Sequence, residues 1–67
     1  MPGLIVHLAA HRKAAGLTQA QLAEAAGVSR KTINTIENNV FVPSTVLALT
    51  LARVLNCSVH ALFELAD

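Results

Sequence analysis

The apolar residues of this chain recur every three or four positions, which is the spacing of one helix face. The first such segment is Leu4–Ala15, and Gly16 follows it, a residue type that commonly ends a helix in the left-handed conformation. One face of this predicted helix carries Leu4, Ile5, Leu8, Arg12 and Ala15. Because no alternating strand pattern of useful length is present, the sequence predicts helices only.

A second helix begins at a side chain suited to capping its start. Thr18 followed by Gln21 is a capping box, in which each side chain bonds the backbone N–H of the other residue. Gly27 ends this helix, because a glycine adopts the positive φ of a tight turn without the strain of a Cβ. Ala23 is small at the position where this helix approaches the next one, so the two helices can cross closely.

A third helix follows after a short turn. Ser29 can cap its start, and its buried stripe consists of Ile33 and Ile36. We expect Asn38 and Asn39 to end it, because asparagine tolerates the left-handed conformation. Two helices crossing at about 90–120° and joined by such a turn form a helix-turn-helix.

The rest of the chain repeats this pattern of cap, apolar face and stop. Val40–Pro43 is a connector, since Val42 precedes a proline and is pushed into an extended conformation. Ser44 caps a fourth helix that Asn56 stops, and Ser58 opens a short fifth helix. The inner positions of these two helices are Leu47, Ala48, Leu51, Val54, Leu55, Val59, Leu62 and Phe63. The predicted fold is an all-α, compact five-helix orthogonal bundle.

The composition bounds the size and setting of this bundle. At 67 residues the chain is one domain at most, so we expect a single helix-turn-helix domain over residues 1–67 with its core at 18–38. The single cysteine cannot form an internal disulfide, and no segment resembles a signal peptide or a membrane span, which makes the cytoplasm the default location. Hydrophobic residues reach 54%, and charged residues only 13% against roughly 25% in typical soluble domains. We therefore expect part of the surface to be buried against a second copy or another domain.

The helix-turn-helix segments also carry a family resemblance. They read LTQAQLAEAAGVSRKTINTIENN and, after the connector, PSTVLALTLARVLNCSVHALFEL. From roughly Leu4 to Leu65, the chain resembles the phage-repressor and Cro-like regulators, also called the xenobiotic-response-element (XRE) family. The resemblance implies a lambda-repressor-like DNA-binding domain and sequence-specific binding of double-stranded DNA, usually by a homodimer, to regulate transcription.

The third helix turns a polar face outward once its two isoleucines are buried. Arginine and lysine can donate to guanine O6 and N7, and asparagine can pair with adenine N6 and N7. Since the resemblance places the first turn of this helix in the major groove, the strongest candidates are Arg30, Lys31 and Asn34. The start of the second helix offers free N–H groups to a phosphate. The full predicted DNA-binding set is Thr18, Gln19, Ser29, Arg30, Lys31, Thr32, Asn34, Thr35, Asn38 and Asn39. The alternative is an ordinary solvated helix face.

Two features of the charges refine this interpretation. The net charge is only +1, with five Lys and Arg residues, so uncharged donors must supply many phosphate contacts and the salt dependence of DNA binding should be shallow. Arg12 lies on the inward face of the first helix, where a charge needs a partner. The resemblance pairs it with Glu37, near the end of the third helix; the alternative is two separate surface charges.

Three residues depart from the family pattern, and two pairs of side chains have the spacing of metal ligands. The family pattern is usually leucine, glycine and valine where this chain has His11, Asn39 and Cys57. The spacing of His7 from His11, and of Cys57 from His60, suits zinc, but packing explains the cysteine better, so we expect no metal and no cofactor. No catalytic constellation is visible, and we expect no enzyme activity. Two phenylalanines and no other aromatic residues argue against RNA or single-strand binding by stacking.

The leading interpretation is a small homodimeric transcriptional regulator that reads a near-palindromic operator. Apolar residues predicted on outer faces are Val6, Ala10, Phe41, Val46, Leu49 and Leu65. They favour a dimer interface from the fourth helix to the C-terminus. One alternative is an antitoxin-type interaction module that also binds DNA and whose partner is a toxin; another is the DNA-binding head of a longer regulator. No membrane partner is expected.

Overall fold

Hydroxyl side chains fix where most of the helices begin. The structure, a computed structural model, describes residues 3–67. Its helices in that range are α1 (Leu8–Ala14), α2 (Gln19–Ala26), α3 (Arg30–Glu37), α4 (Thr45–Val54) and α5 (Val59–Leu62). The last four each begin after a Thr or Ser whose hydroxyl accepts a backbone N–H three residues on, at Thr18, Ser29, Ser44 and Ser58. The five predicted helices are confirmed, together with these four caps.

Of the residues predicted to end helices, four adopt the left-handed conformation, whereas Asn38 has a φ of −91°. The φ angles are 73° at Gly16, 74° at Gly27, 59° at Asn39 and 54° at Asn56. No atom lies within 4 Å of the place where a Cβ on Gly27 would sit. The turn between α2 and α3 therefore requires glycine for its backbone conformation, and crowding plays no part.

The first segment corrects the prediction of a helix over Leu4–Ala15. Residues Gly3–Val6 form a strand, β1, and α1 begins only at Leu8. A second strand, β2 (Phe63–Ala66), takes Phe63, which was predicted on the fifth helix. The strands pair antiparallel, with Leu4 opposite Leu65. The all-α prediction is therefore wrong at the two chain ends, which form a two-stranded sheet.

Long-range pairing explains why these strands escape the helical pattern. Val6 and Phe63 lie opposite each other in the sheet, and both pack against the helical core. The backbone N–H of His7 donates to the Leu62 carbonyl at 2.8 Å, which continues the connection into the first residues of the helical body. The β-branched pair at positions 5 and 6 suits a pleated strand, but its partner lies at the other end of the sequence.

A single apolar cluster joins the five helices. Its buried members are Leu8, Leu22, Ala23, Ile33, Ile36, Leu51, Ala52 and Leu62. Cys57 is half-buried and packs against this cluster, as the packing interpretation of the cysteine predicts. Most predicted inner positions of α4 are only half-buried, because Leu51 and Ala52 carry its deepest contacts. None of the helices in the described part of the chain combines the length and apolarity needed to cross a membrane.

We expect Gly27→Ala to lower the free energy of unfolding by about 1 kcal/mol, because the new Cβ has space but the backbone is left-handed. Chemical denaturation measures this loss. Gly3→Ala is the matched control, since Gly3 lies in strand β1 and its Cβ would make only an ordinary 3.9 Å contact with the Cβ of Ala66. Its effect should stay within about 0.5 kcal/mol. Equal losses in the two variants would contradict the conformational explanation.

Candidate nucleic-acid interface

The polar face of α3 is held outward by the burial of its opposite face. Ile33 and Ile36 are fully buried. With those two side chains fixed in the core, the same helix exposes Arg30, Lys31 and Asn34. Within the predicted set, Thr18, Ser29, Asn38 and Asn39 are also exposed, whereas Gln19, Thr32 and Thr35 are half-buried. The strongest candidates from the sequence are thus available to a ligand.

The start of α2 opens into the same region as the start of α3. One open cleft is lined by Arg12, Leu17, Thr18, Gln19, Ala20 and Arg30. Thr18 and Gln21 complete the capping box, with side chain-to-backbone distances of 2.9 and 3.1 Å. The first turn of a helix leaves N–H groups without helical partners and carries a partial positive charge. Together with the Arg30 guanidinium, this cleft is suited to an anionic oxygen.

The hydroxyl groups on α3 serve first to build the helix. Ser29 Oγ accepts from the Thr32 backbone N–H at 3.1 Å and lies 2.9 Å from Thr32 Oγ1. Thr35 Oγ1 donates to the Thr32 carbonyl at 2.9 Å. These three side chains therefore shape the first turns of α3, and the exposed donors with free capacity are the longer side chains beside them.

The two asparagines at the end of α3 are also engaged within the protein. Asn38 Nδ2 donates to the Asn34 carbonyl at 2.8 Å. Asn39 Nδ2 donates to the Leu4 carbonyl at 2.9 Å and so ties the end of α3 to β1. This link between α3 and β1 could not be found from the sequence, because β1 itself was not predicted. A DNA contact by either asparagine stays a prediction.

The pairing of Arg12 with Glu37 is confirmed. Arg12 Nε donates to Glu37 Oε2 at 2.6 Å and Arg12 Nη2 donates to Oε1 at 3.2 Å, with only 11% and 6% of the two side chains exposed. Arg12 Nη1 also donates to the Leu17 carbonyl at 2.9 Å. A two-bonded, nearly buried pair of this kind fixes the end of α3 to α1 and to the turn before α2.

Gln19 extends this ion pair toward the exposed face. Its Nε2 donates to Glu37 Oε1 at 2.9 Å, and its Oε1 accepts from Asn34 Nδ2 at 3.5 Å. The sequence predicted Gln19 as a phosphate contact at the start of α2. The structure gives it internal partners on α3, which no local pattern signals because they lie 15 and 18 positions further along the chain.

The ion pair perturbs the protonation of both of its members. The hydrogen bond to Glu37 raises the pKa of Arg12, against the opposing effect of burial. Burial raises the pKa of Glu37, but the hydrogen bonds from Arg12 and Gln19 and the charges of Arg12 and Lys13 outweigh it, so this pKa lies below its ordinary value. Glu37 is therefore an ionised hydrogen-bond acceptor at neutral pH.

Apart from the outward position of Phe41, sequence reasoning missed two further features of the surface. Val40 and Phe41 are exposed and line a shallow groove with Lys31, Thr32 and Thr35. Their N–H groups both donate to the Thr35 carbonyl, which holds the connector beside α3. At the sheet, His7 Nε2 lies 2.6 Å from Glu64 Oε1 on the surface. In residues 3–67 no three His, Cys, Asp or Glu side chains gather at one point.

The comparisons with known proteins agree with this geometry. The family model described as helix-turn-helix matches residues 8–62. An uncharacterized HTH-type transcriptional regulator of Methanothermobacter thermautotrophicus is 51% identical over 45 residues, which cover 67% of this chain and 65% of that relative. The match thus spans slightly less than two thirds of that relative's length.

Two solved structures share the fold over most of their length. The restriction-modification controller protein C.AhdI from Aeromonas hydrophila has a TM-score of 0.77 and 31% identity, covering 81% of this chain and 82% of that chain. The second structure is that of SinR, the master regulator for biofilm formation, in complex with DNA; SinR is from Bacillus subtilis. It has a TM-score of 0.74 and 35% identity, covering 79% of this chain and 86% of that chain. SinR is also known in a complex with the protein SinI.

We expect a double-mutant cycle on Arg12→Met and Glu37→Leu to show strong coupling. Each single change should cost about 3 kcal/mol of unfolding free energy, because it leaves the other charge buried without its partner. The double variant should be more stable than either single one. The exposed His7–Glu64 pair is the matched control, with a coupling below about 1 kcal/mol. Additive costs at positions 12 and 37 would reject the pairing.

A pH series provides an independent check on the same pair. Because the pKa of Glu37 is lowered on folding, its contribution is present above the unfolded value, about 4.3, and is lost as pH falls through the folded value. Wild-type protein should therefore lose more unfolding free energy between about pH 5 and pH 3 than the Glu37→Leu variant. Parallel stability curves for the two proteins would contradict this.

Proposed function

The chain belongs to the XRE-type helix-turn-helix family, and we propose that it is a transcriptional regulator that reads double-stranded DNA with α3 in the major groove. The observation that carries this proposal is the exposed row of Arg30, Lys31 and Asn34 on a helix whose other face is fully buried. A rigid helix with long donors in its first two turns suits base edges. The likeness to SinR in complex with DNA supports the same assignment.

In this proposal the remaining members of the predicted set position the protein on the phosphates. The start of α2, with Thr18 and the backbone N–H of Gln19, lies against one strand, and the cleft that these residues share with Arg30 receives a phosphate oxygen. The hydroxyls of Ser29, Thr32 and Thr35 and the amides of Asn38 and Asn39 are uncharged. Phosphate binding by such groups releases few counterions, which suits a net charge of +1.

We propose further that the regulator acts as a homodimer. An apolar surface extends from the connector over the first half of α4 to the sheet, with Val42, Val46, Leu49 and Leu65 exposed. Within it lies a groove of about 240 Å³ lined mainly by Leu4, Val42, Pro43, Ala48, Leu49 and Phe63. Residues 3–67 span 32 × 21 × 20 Å, so two copies side by side are large enough to reach successive major grooves about 34 Å apart.

A second candidate function is an antitoxin-type module whose apolar surface covers another protein. The same exposed surface, which we name the α4 patch (Val42, Val46, Leu49 and Leu65), supports it, and SinR is known in complex with SinI. A chain that is the head of a longer regulator would use this patch against its own further domain. Sizing distinguishes these cases, because a homodimer forms from the purified chain alone, whereas a toxin would have to be supplied.

We expect selection from a random duplex pool to enrich a near-palindromic site. Arg30→Ala should then lower affinity for that site about tenfold and remove the preference at one base pair, because a paired arginine is worth about 1–3 kcal/mol. Fluorescence anisotropy with the selected and single-base-changed duplexes measures both effects. The control is Arg53→Ala, which removes an equal charge from α4, outside the predicted set, and should leave base preferences unchanged. No enrichment of any sequence over scrambled duplex would sink the proposal.

The small number of cations in the chain limits how strongly DNA binding can depend on salt concentration. Arg12 is committed to Glu37, which leaves four Lys and Arg side chains per chain, and at about 0.9 per neutralised phosphate these contribute at most about 7 to the log–log slope of a dimer. We expect a shallower value, because neutral donors make many of the contacts. A slope of about 10 would contradict the assignment of those contacts to uncharged groups.

We expect Leu49→Asp to convert a dimer into a 7.0 kDa monomer, because it introduces a charge at the centre of the α4 patch. Light scattering coupled to gel filtration measures the mass, and affinity for the selected duplex should fall with it. Ala25→Asp is the control: it places the same side chain on an exposed position of α2 and should leave the mass unchanged. A wild-type chain that is monomeric at high micromolar concentration would refute the homodimer.

A further inference from the structure

The ionised carboxylate of Glu37 dictates how the neighbouring amide of Gln19 is oriented. Glu37 Oε2 accepts from Arg12, and Oε1 accepts from both Arg12 and Gln19. A carboxylate oxygen can only accept hydrogen bonds, so the NH₂ end of the Gln19 amide must face it. The 2.9 Å contact of Gln19 Nε2 satisfies this requirement. The other end of the amide, Oε1, is thereby turned toward the exposed face.

The orientation of the Gln19 amide in turn determines the orientation of the Asn34 amide. Gln19 Oε1 is an acceptor, so Asn34 must present its Nδ2, and the two atoms lie 3.5 Å apart. This distance is at the outer limit of a hydrogen bond and makes it the weaker link of the two. This bond uses one of the two N–H groups of Nδ2, so the other N–H and Oδ1 of this exposed residue remain available to a ligand.

We name the hydrogen bonds that connect Glu37 through Gln19 to Asn34 the relay. From it we propose that Gln19 is a positioning residue, which orients the Asn34 amide so that Asn34 favours adenine and disfavours guanine. The proposal rests on the proposed function, since it presumes that α3 enters the major groove. Adenine offers an N6 donor and an N7 acceptor, which match the outward Oδ1 and the free N–H of Asn34. Guanine offers two acceptors, O6 and N7, and would set O6 against Oδ1. Thymine O4 has the same fault as guanine O6.

A phosphate contact by Gln19 makes a different prediction, and the two can be separated. Phosphates carry no sequence information, so losing such a contact weakens binding to every duplex by one factor. Losing the relay instead frees the Asn34 amide to turn over, which changes the ratio of affinities between duplexes. A ratio is insensitive to the fraction of folded protein, so a purely structural effect of the substitution leaves it unmoved.

The experiment uses four duplexes that differ only at the base pair read by Asn34, which is the pair where Asn34→Ala abolishes preference. Wild-type protein should bind the adenine duplex at least about tenfold more tightly than the guanine duplex. Gln19→Met, similar in size but without the amide, should reduce this ratio to about threefold or less. The double variant Gln19→Met, Asn34→Ala should show the same lack of preference among the four duplexes as Asn34→Ala alone.

Gln19→Lys provides a stricter test, because it keeps the hydrogen bond to Glu37 and replaces the acceptor that faces Asn34 with a donor. Lysine has three donors and no acceptor, so it can still bond Glu37 while presenting a donor to Asn34. Asn34 should then turn Oδ1 inward and Nδ2 outward, and the preference should invert from adenine to guanine. The added charge strengthens binding to all four duplexes alike and does not enter the ratio.

Each outcome decides between the relay and its rivals. A uniform loss across the four duplexes in Gln19→Met, or a retained adenine preference in Gln19→Lys, would overturn the relay. It would equally fail if Asn34→Ala left every base preference intact while wild-type protein still selected a site. Wild-type protein without any sequence preference would instead refute the proposed function.

Discussion

The buried ion pair between Arg12 and Glu37 is the constraint on which the candidate interface depends. Two charges with 11% and 6% of their side chains exposed must satisfy each other, and the guanidinium fork can do so in few geometries. Such a pair is no guarantee of extra stability over an apolar core. Its consequence here is positional, since it joins α1, the turn at Leu17 and the end of α3. The direction of α3 relative to the body is thereby fixed.

The other contacts of α3 also fix its direction relative to the rest of the domain. Ile33 and Ile36 bury one face, Ser29 caps the first turn, and the amide of Asn39 ties the last turn to β1. Each of these is modest alone, but together they hold both ends and one side of an eight-residue helix that would be marginal in isolation. A helix held in this way can present side chains to a ligand with little loss of conformational entropy on binding.

Local rules recovered the parts of this fold that have local causes. Thr18, Ser29 and Gly27 act within a few residues of themselves, so caps and helix ends could be read from the sequence. The Arg12–Glu37 pair came from a family resemblance and from the oddity of an inward arginine. The strands β1 and β2 could not be predicted, because each is defined by a partner at the opposite end of the chain. The bonds of Gln19 and Asn39 share that cause, since their partners meet only after the helices have packed.

The proposed homodimer explains both the low net charge of this protein and its apolar α4 patch. A single copy offers only Arg30 and Lys31 as exposed cations on α3, so its attraction to the phosphate backbone is small. Joining two copies makes the second contact intramolecular, and the effective concentration then multiplies two modest affinities without any added charge. The same weakness disfavours binding to arbitrary DNA, where no base contacts compensate. In the proposed homodimer, the apolar surface on α4 thus complements the small number of cations in the chain.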